Sequence, residues 1–475
     1  MINLRSYQEN AVNACRQMIA AGKKRLILCA PTGAGKTVIF SYLVQAALTK
    51  GKRVMIVTDR TELLTQAGGA LSAYGINPER IEAGADPHLL KPCYTAMVET
   101  LNRRMGKVEY LNLLESLDLI IFDEAHKQSF NKLFEFIPKN CVVIGATATP
   151  YRDGKQASLD EFYEDIIPVA DIPELIHYGF LAKPQSYGVK VDLSAVSTRA
   201  GDYDLNEMGQ QYSKQRVFKG VIQNYKQYTP NKKGIAFCAN IASSIELTYE
   251  LCQAGINARH LDSEMSQQER AEVLDWFRNT PQAVISNVGI LTTGFDEPSI
   301  EVIILYRATK SLPLFLQMCG RGSRVLPNKK TFSILDFGNN IQAHGFWEDM
   351  RSWSLQKKKK KEGVAPIKEC KGCGALVRSN ATDCEYCGYL FPRTAKEQED
   401  DKIVQLKLLR KDQVLKIAMT ESIKEKVMMT KAGMIKASWV LHNLTTMAEA
   451  KEFTRLMGYK SGWWFHNQSR FPNLK

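Results

Sequence analysis

Short apolar runs of four or five residues alternate with longer amphipathic stretches through most of residues 1–345. Such runs read as strands and the stretches between them as helices, which is the pattern of parallel α/β units. One series of strands is expected at Arg25–Cys29, Val54–Thr58, Leu119–Phe122 and Cys141–Ile144, and a second at Ile235–Cys238, Ala283–Ser286, Val302–Leu305 and Phe332–Leu335. The polar, tyrosine-rich stretch between them, from about residue 151 to 230, suits a linker with an excursion. Two similar blocks in tandem predict two related domains facing one cleft. Beyond residue 395 the strand pattern vanishes, and Asp412–Lys426 and Thr446–Met457 read as helices.

Composition changes this picture little until the charge is located. The chain has 475 residues, 44% hydrophobic and 24% charged, which excludes disorder and fibres. No apolar run of about 18 residues predicts a membrane span, and the opening Met1-Ile2-Asn3-Leu4-Arg5 has no signal-peptide pattern, so an intracellular protein without a membrane partner is expected. The net charge is +13, yet residues 351–475 hold 25 basic and 13 acidic residues while residues 1–350 hold 38 and 37. A nearly neutral body therefore precedes a basic tail that begins with the run Lys357 to Lys361 and favours a polyanion. That run reads as a linker, either a bare tether or a nucleic-acid contact.

The chemistry begins directly after the first strand, with Ala30-Pro31-Thr32-Gly33-Ala34-Gly35-Lys36-Thr37 leading into a helix. Glycines let backbone N–H groups curl around phosphate oxygens at a helix N-terminus; Lys36 would reach the β/γ-phosphates and the Thr37 hydroxyl would hold Mg²⁺. Ala30 stands where the usual pattern has its first glycine. Strand Leu119–Phe122 ends in Asp123-Glu124-Ala125-His126, where an aspartate can hold Mg²⁺ through water and a glutamate can activate the attacking water.

With Thr147-Ala148-Thr149-Pro150 and Gln317-Met318-Cys319-Gly320-Arg321-Gly322-Ser323-Arg324 in this order, the chain resembles superfamily 2 helicases of DEAH type over about residues 1–345. Leu4-Arg5-Ser6-Tyr7-Gln8 resembles the adenine-reading Q motif, Thr58-Asp59-Arg60 to Gln66 resembles motif Ia, and Asn287 to Asp296 resembles motif V. The resemblance implies an α/β protein with two RecA-like domains clamping ATP and Mg²⁺. Arg5, Gln8, Pro31 to Thr37, Gly294 and Asp296 would bind nucleotide, with Mg²⁺ at Thr37 and Asp123. Lys36, Asp123, Glu124, Gln317, Arg321 and Arg324 would carry catalysis, the two arginines neutralising charge on the γ-phosphoryl oxygens. Thr147 and Thr149 would link nucleotide to nucleic-acid grip. His126 and Gln317 depart from the DEAD-box RNA pattern, and the set is most similar to RadD-like and phage-encoded DNA helicases. DNA in single-stranded, forked or duplex form is the implied partner, with a single-strand-binding or replication protein as a candidate second one. An ATP-driven DNA helicase or translocase in replication, recombination or repair is expected; an RNA helicase and an ATP-gated binding protein remain alternatives.

Cys370-Lys371-Gly372-Cys373 and Cys384-Glu385-Tyr386-Cys387 form two Cys-x-x-Cys knuckles, each followed by glycine. Four thiolates at this spacing suit one closed, structural Zn²⁺ site, against the alternatives of redox pairs or an iron–sulfur cluster. The expected organisation is 1–155 (first RecA-like domain), 156–213 (linker), 214–345 (second RecA-like domain), 346–367 (lysine-rich linker), 368–392 (zinc ribbon) and 393–475 (basic helical domain). Trp463, Trp464 and Phe465 near the end read either as a small core or as a stacking platform for a strand.

Overall fold

The computed structural model describes residues 3–152, 157–188, 196–199, 201–212, 215–292, 294–356, 366–391, 422–431 and 437–459. The lysine run 357–361, most of the helix expected at 412–426 and the aromatic segment 463–465 lie outside the described residues.

The first sheet contains β1 (Arg25–Cys29), β2 (Val54–Thr58), β3 (Glu79–Ile81), β4 (Cys93–Met97), β5 (Leu119–Asp123), β6 (Val142–Thr147) and β7 (Asp165–Pro168), in the order β3-β4-β2-β5-β6-β1-β7. Every pairing is parallel. The central strands β1, β2, β5 and β6 are buried almost throughout, as continuous apolar runs require when helices cover both faces. The second sheet takes β8 (Lys183–Gly188), then, after a small hairpin of β9 (Thr198–Arg199) and β10 (Asp202–Tyr203), β11 (Gly234–Cys238), β12 (Ala258–Leu261), β13 (Val284–Asn287), β14 (Val302–Tyr306) and β15 (Thr331–Asp336). Its order is β12-β13-β11-β14-β15-β8, again parallel.

All eight expected strands are present, shifted by no more than a few residues. The stretch read as a linker does more than connect. Its β7 closes one edge of the first sheet on β1, and β8 closes one edge of the second on β15. Both hide from an apolar pattern because edge strands tolerate polar residues and proline, here Pro168 and Pro184. Between them lies only the short helix Ile172–His177 and its flanks.

Residues 346–356 return from the second domain to the first. Trp347 is buried between Leu316, whose carbonyl accepts its indole N–H at 3.1 Å, and the Phe332 ring, edge-on at 5.7 Å. Eight residues on, Leu355 packs on the outer core of the first domain, and the Ser158 hydroxyl donates to its carbonyl at 3.1 Å. Trp347→Ala should cost about 3–5 kcal/mol of stability through the cavity it leaves; denaturant unfolding checks this, and an unchanged midpoint would contradict the packing role.

The four-cysteine segment is not a pendant module. Its strands β16 (Ile367–Glu369) and β17 (Leu376–Arg378) pair antiparallel, and the segment through Tyr389 belongs to the same compact unit as both sheets. Leu376 sits so tightly on β8 that a Cβ on Gly188 would lie 2.7 Å from its Cδ1. The Tyr386 hydroxyl donates to the Pro184 carbonyl at 3.2 Å, Lys183 pairs with Glu385, and Arg378 pairs with Asp349 at 2.6 Å. This segment thus covers an outer carbonyl of an edge strand that would otherwise be exposed.

Residues 390–475 form a second unit. Among its described residues are helices Ile423–Lys431, Ala437–Asn443 and Met447–Leu456, packed through Val427, Val440, Leu441, Leu444, Ala450 and Phe453. The last begins at Thr446, as its capping box with Glu449 dictates. Among the described residues no helix is long and apolar enough to cross a membrane.

Candidate functional site at the cleft between the sheets

The loop after β1 delivers its backbone to the N-terminus of helix Lys36–Leu48. Gly33 and Gly35 have φ of +91° and +78°, and a Cβ at either would fall within 2.7 Å of a neighbour, Leu181 or the Gln8 amide. Only glycine fits both demands. Ala30, the departure from the usual pattern, has no positive φ; its methyl is buried and its N–H donates to the Thr147 carbonyl at 3.0 Å, so a side chain is accommodated there.

The carboxylates come from the tip of β5. Lys36 Nζ lies 2.9 Å from Glu124 Oε1, while Glu124 Oε2 is buried without a hydrogen-bond partner. Burial works against the Lys36 ammonium, but Glu124 and Asp123 outweigh it and hold the charge. Burial also pushes Asp123 up to about 6. Glu124 moves the other way, down to about 2, because Lys36, His126 and Lys127 overcome its own desolvation. Glu124 has φ of +54°, a strained backbone for a residue with a Cβ. The ionised carboxylate with an orphaned oxygen, beside Asp123 and Thr37, fits an Mg²⁺-bound water and a nucleotide's phosphates.

His126 occupies a position that the sequence marks only as a departure. Its Nδ1 shares a 2.8 Å hydrogen bond with Thr147 Oγ1 and lies 3.4 Å from Glu124 Oε2. Thr147 Oγ1 also accepts from the Thr149 N–H at 3.0 Å. Burial pushes His126 down to about 4, so the ring is neutral at pH 7 and stands between the carboxylate and the end of β6.

The second domain supplies the opposite wall. Gly294, Asp296, Gln317, Arg321 and Arg324 line one cleft with Thr32, Gly33, Gly35, Lys36, Thr37, Asp123 and Glu124. The two arginines are held differently. Arg321 donates to the carbonyls of Phe295 and Thr292, the latter at 2.7 Å, and burial lowers it to about 10. Arg324 pairs with Asp296 at 3.0 Å and leans across the cleft, its Nη1 3.3 Å from where a Gly33 Cβ would be. Gln66, at the end of the motif Ia resemblance, donates to the Gly294 carbonyl and links the two walls.

Arg5 and Gln8 stand behind the phosphate loop. Gln8 Oε1 accepts from the Arg5 N–H at 3.0 Å, its Nε2 donates to the Ala34 carbonyl at 3.1 Å, and the Arg5 guanidinium covers the Phe180 ring at 4.2 Å. Ala34 is buried against this layer, and Pro31 lines a neighbouring cavity with Trp347 and Arg351.

At the cysteine cluster the four Sγ atoms lie within 4.8 Å of one another. Cys370 and Cys387 are 3.6 Å apart and Cys373 and Cys384 3.7 Å. A tetrahedron with Zn–S bonds of about 2.3 Å has S···S edges of roughly 3.8 Å, so the set fits a closed metal site. The two knuckles repeat one hydrogen-bond pattern, Gly374 N–H to Cys370 carbonyl and Gly388 N–H to Cys384 carbonyl, each 2.8 Å. Both glycines have positive φ, as that turn needs.

Residues 1–152 match the family model of the type III restriction enzyme res subunit, and residues 214–325 that of the helicase conserved C-terminal domain. A 51.5 kDa protein of a Lactococcus phage (isolate 7-9) is 30% identical over 396 residues, covering 81% of this chain and 82% of the phage protein. A Saccharomyces cerevisiae protein classed as the ATP-dependent helicase Irc3 is 32% identical over 359 residues, covering 70% of this chain but 51% of its own length. Among solved structures, the ATP-dependent type ISP restriction-modification enzyme LlaBIII bound to DNA superposes with a TM-score of 0.53 at 19% identity, over 70% of this chain and 27% of that one. This last likeness is one of fold.

Proposed function

We propose, from the premise that this chain belongs to the superfamily 2 helicases and is an ATP-hydrolysing, nucleic-acid-dependent enzyme, that its track is DNA. The match of residues 1–152 to a restriction-enzyme subunit carries this reading. The fold likeness to an enzyme whose structure holds DNA, and the Gln317 and His126 departures from the DEAD-box pattern, support it. The finer assignment is an ATP-driven translocase or helicase of RadD-like or phage type, acting on branched or damaged DNA in replication, recombination or repair.

In this reading MgATP supplies the charge and the scissile phosphoryl group. Lys36 and the loop N–H groups hold its phosphates, Thr37 and Asp123 hold the Mg²⁺, and Glu124 orients and deprotonates the attacking water. Arg324 and Arg321 approach from the second domain, so hydrolysis needs both walls together. His126, Thr147 and Thr149 carry the state of the Glu124 carboxylate to the end of β6. The four cysteines hold a structural Zn²⁺, and the basic tail adds sequence-independent phosphate contacts.

ATP turnover measured with single-stranded, duplex and forked DNA and with RNA tests the reading. Stimulation by DNA is expected, weakening with added salt as counterion release requires. Stimulation by RNA alone would sink it.

A further inference from the structure

Lys329 lies at the end of a tight turn after the arginine loop, where Leu326 and Lys329 exchange backbone hydrogen bonds of 3.1 and 3.0 Å. Its sequence context, Leu326-Pro327-Asn328-Lys329-Lys330, reads as an ordinary polar turn with a solvated lysine. The side chain instead folds back under the loop and is 5% exposed. Its ammonium donates to three backbone carbonyls, Gly322 and Arg324 at 2.7 Å and Pro298 at 3.0 Å. Three protons meet three acceptors. Burial lowers the ammonium to about 7, and Glu301, the carboxylate that most opposes this, is itself paired with Lys232 at 2.6 Å.

A buried ammonium satisfied only by carbonyls is a costly choice for packing, because an apolar side chain of similar volume fills the same space without the desolvation. What the charge obtains here is geometry. Gly322 and Arg324 flank the turn of the arginine loop, and Pro298 lies two residues beyond Asp296, the carboxylate that pairs with Arg324. One ammonium therefore fixes the backbones on both sides of that ion pair. The loop has no slack elsewhere: a Cβ on Gly320 would meet Thr32 of the phosphate loop at 2.8 Å, and one on Gly322 would meet Phe332 at 2.3 Å. The Ala182 N–H holds the intervening Ser323 carbonyl at 2.8 Å.

We propose that Lys329 is a positioning residue for ATP hydrolysis, whose ammonium holds the Arg324-bearing loop in register with the phosphate loop across the cleft. The proposal rests on the reading in which Arg324 acts on the nucleotide. It assigns to Lys329 no contact with ATP; the effect passes through Arg324.

The test uses the full-length chain with Lys329→Met, Lys329→Gln, Arg324→Ala and the double variant Lys329→Met/Arg324→Ala. Steady-state kcat and KM for ATP with saturating DNA are measured beside fluorescent-ADP affinity, and rates are expressed per nucleotide-binding site. Lys329→Met should lower kcat by about tenfold or more while KM and ADP affinity, dominated by the phosphate loop of the first domain, stay within about threefold. The double variant should be no slower than Arg324→Ala, because both changes remove the same contribution. Lys329→Gln, which keeps two donors without the charge, should fall between wild type and Lys329→Met, and it decides the matter if Lys329→Met does not fold. Wild-type kcat in either folded lysine variant overturns the proposal, as do losses that multiply in the double variant. Full turnover in Arg324→Ala is a different failure, that of the site reading itself.

Discussion

Glu124→Gln should reduce ATP turnover by about 10²–10⁴-fold while nucleotide binding stays within a few-fold of wild type. The substitution keeps the shape of the side chain and the strained backbone beneath it. It removes the negative charge that Lys36 and Lys127 hold in place, and with it the only property that lets Oε2 accept a proton from water. The Lys36 ammonium exchanges its carboxylate partner at 2.9 Å for a neutral amide oxygen and remains available to phosphate, so affinity should survive. Lys36→Ala is the contrasting change, because it strips the phosphate contact and leaves a buried carboxylate uncompensated. Steady-state turnover beside equilibrium binding of a fluorescent nucleotide separates the two, and near-wild-type turnover in Glu124→Gln refutes the assigned role.

Replacing Cys370 and Cys373 by serine should release about one equivalent of zinc and unfold the segment that covers β8. Structural zinc contributes about 10–16 kcal/mol in isolated finger peptides. Here Leu376 on Gly188 and the Tyr386 bond to Pro184 share the support, so a loss of several kcal/mol is expected of the domain rather than complete unfolding. Metal analysis gives the stoichiometry, and amide exchange across 183–188 reports the uncovered strand. A wild-type chain purified without metal, or a variant whose β8 exchanges as slowly as before, would falsify this account.

Both predictions draw on features of very different visibility. The phosphate loop, the β5 carboxylates and the arginine loop are legible because each is a local run whose chemistry depends on spacing. The central strands are equally plain, since burial on both faces demands uninterrupted apolar runs. The edge strands are not, because Lys183–Gly188 reads Lys-Pro-Gln-Ser-Tyr-Gly and carries no apolar signal at all. The docking of the cysteine segment depends on Leu376 meeting Gly188 across nearly two hundred residues, and no short pattern encodes such a fit. Gln8 shows a related limit: the motif names the residue, while its bonds to Arg5 and Ala34 tie it to the base of the phosphate loop. His126 stands in the sequence only as a departure from a pattern, and the fold gives it a partner by bringing Thr147 to it.

The return of residues 346–356 to the first domain bears on the mechanics of the pair. The chain passes between the sheets once through the short span from β7 to β8, and Leu355 fastens it a second time at a separate place. Once the Gln66 bond to Gly294 across the cleft is released, a body pinned to its neighbour at these two points keeps one easy degree of freedom, rotation about the line joining the pins. While Leu355 stays seated, the cleft should gape and shut like a lidded box, with sliding and twisting suppressed. In the proposed motor such a linkage would direct the opening and closing of each turnover along a single axis, with the length of the segment from Trp347 to Leu355 limiting how far the cleft opens.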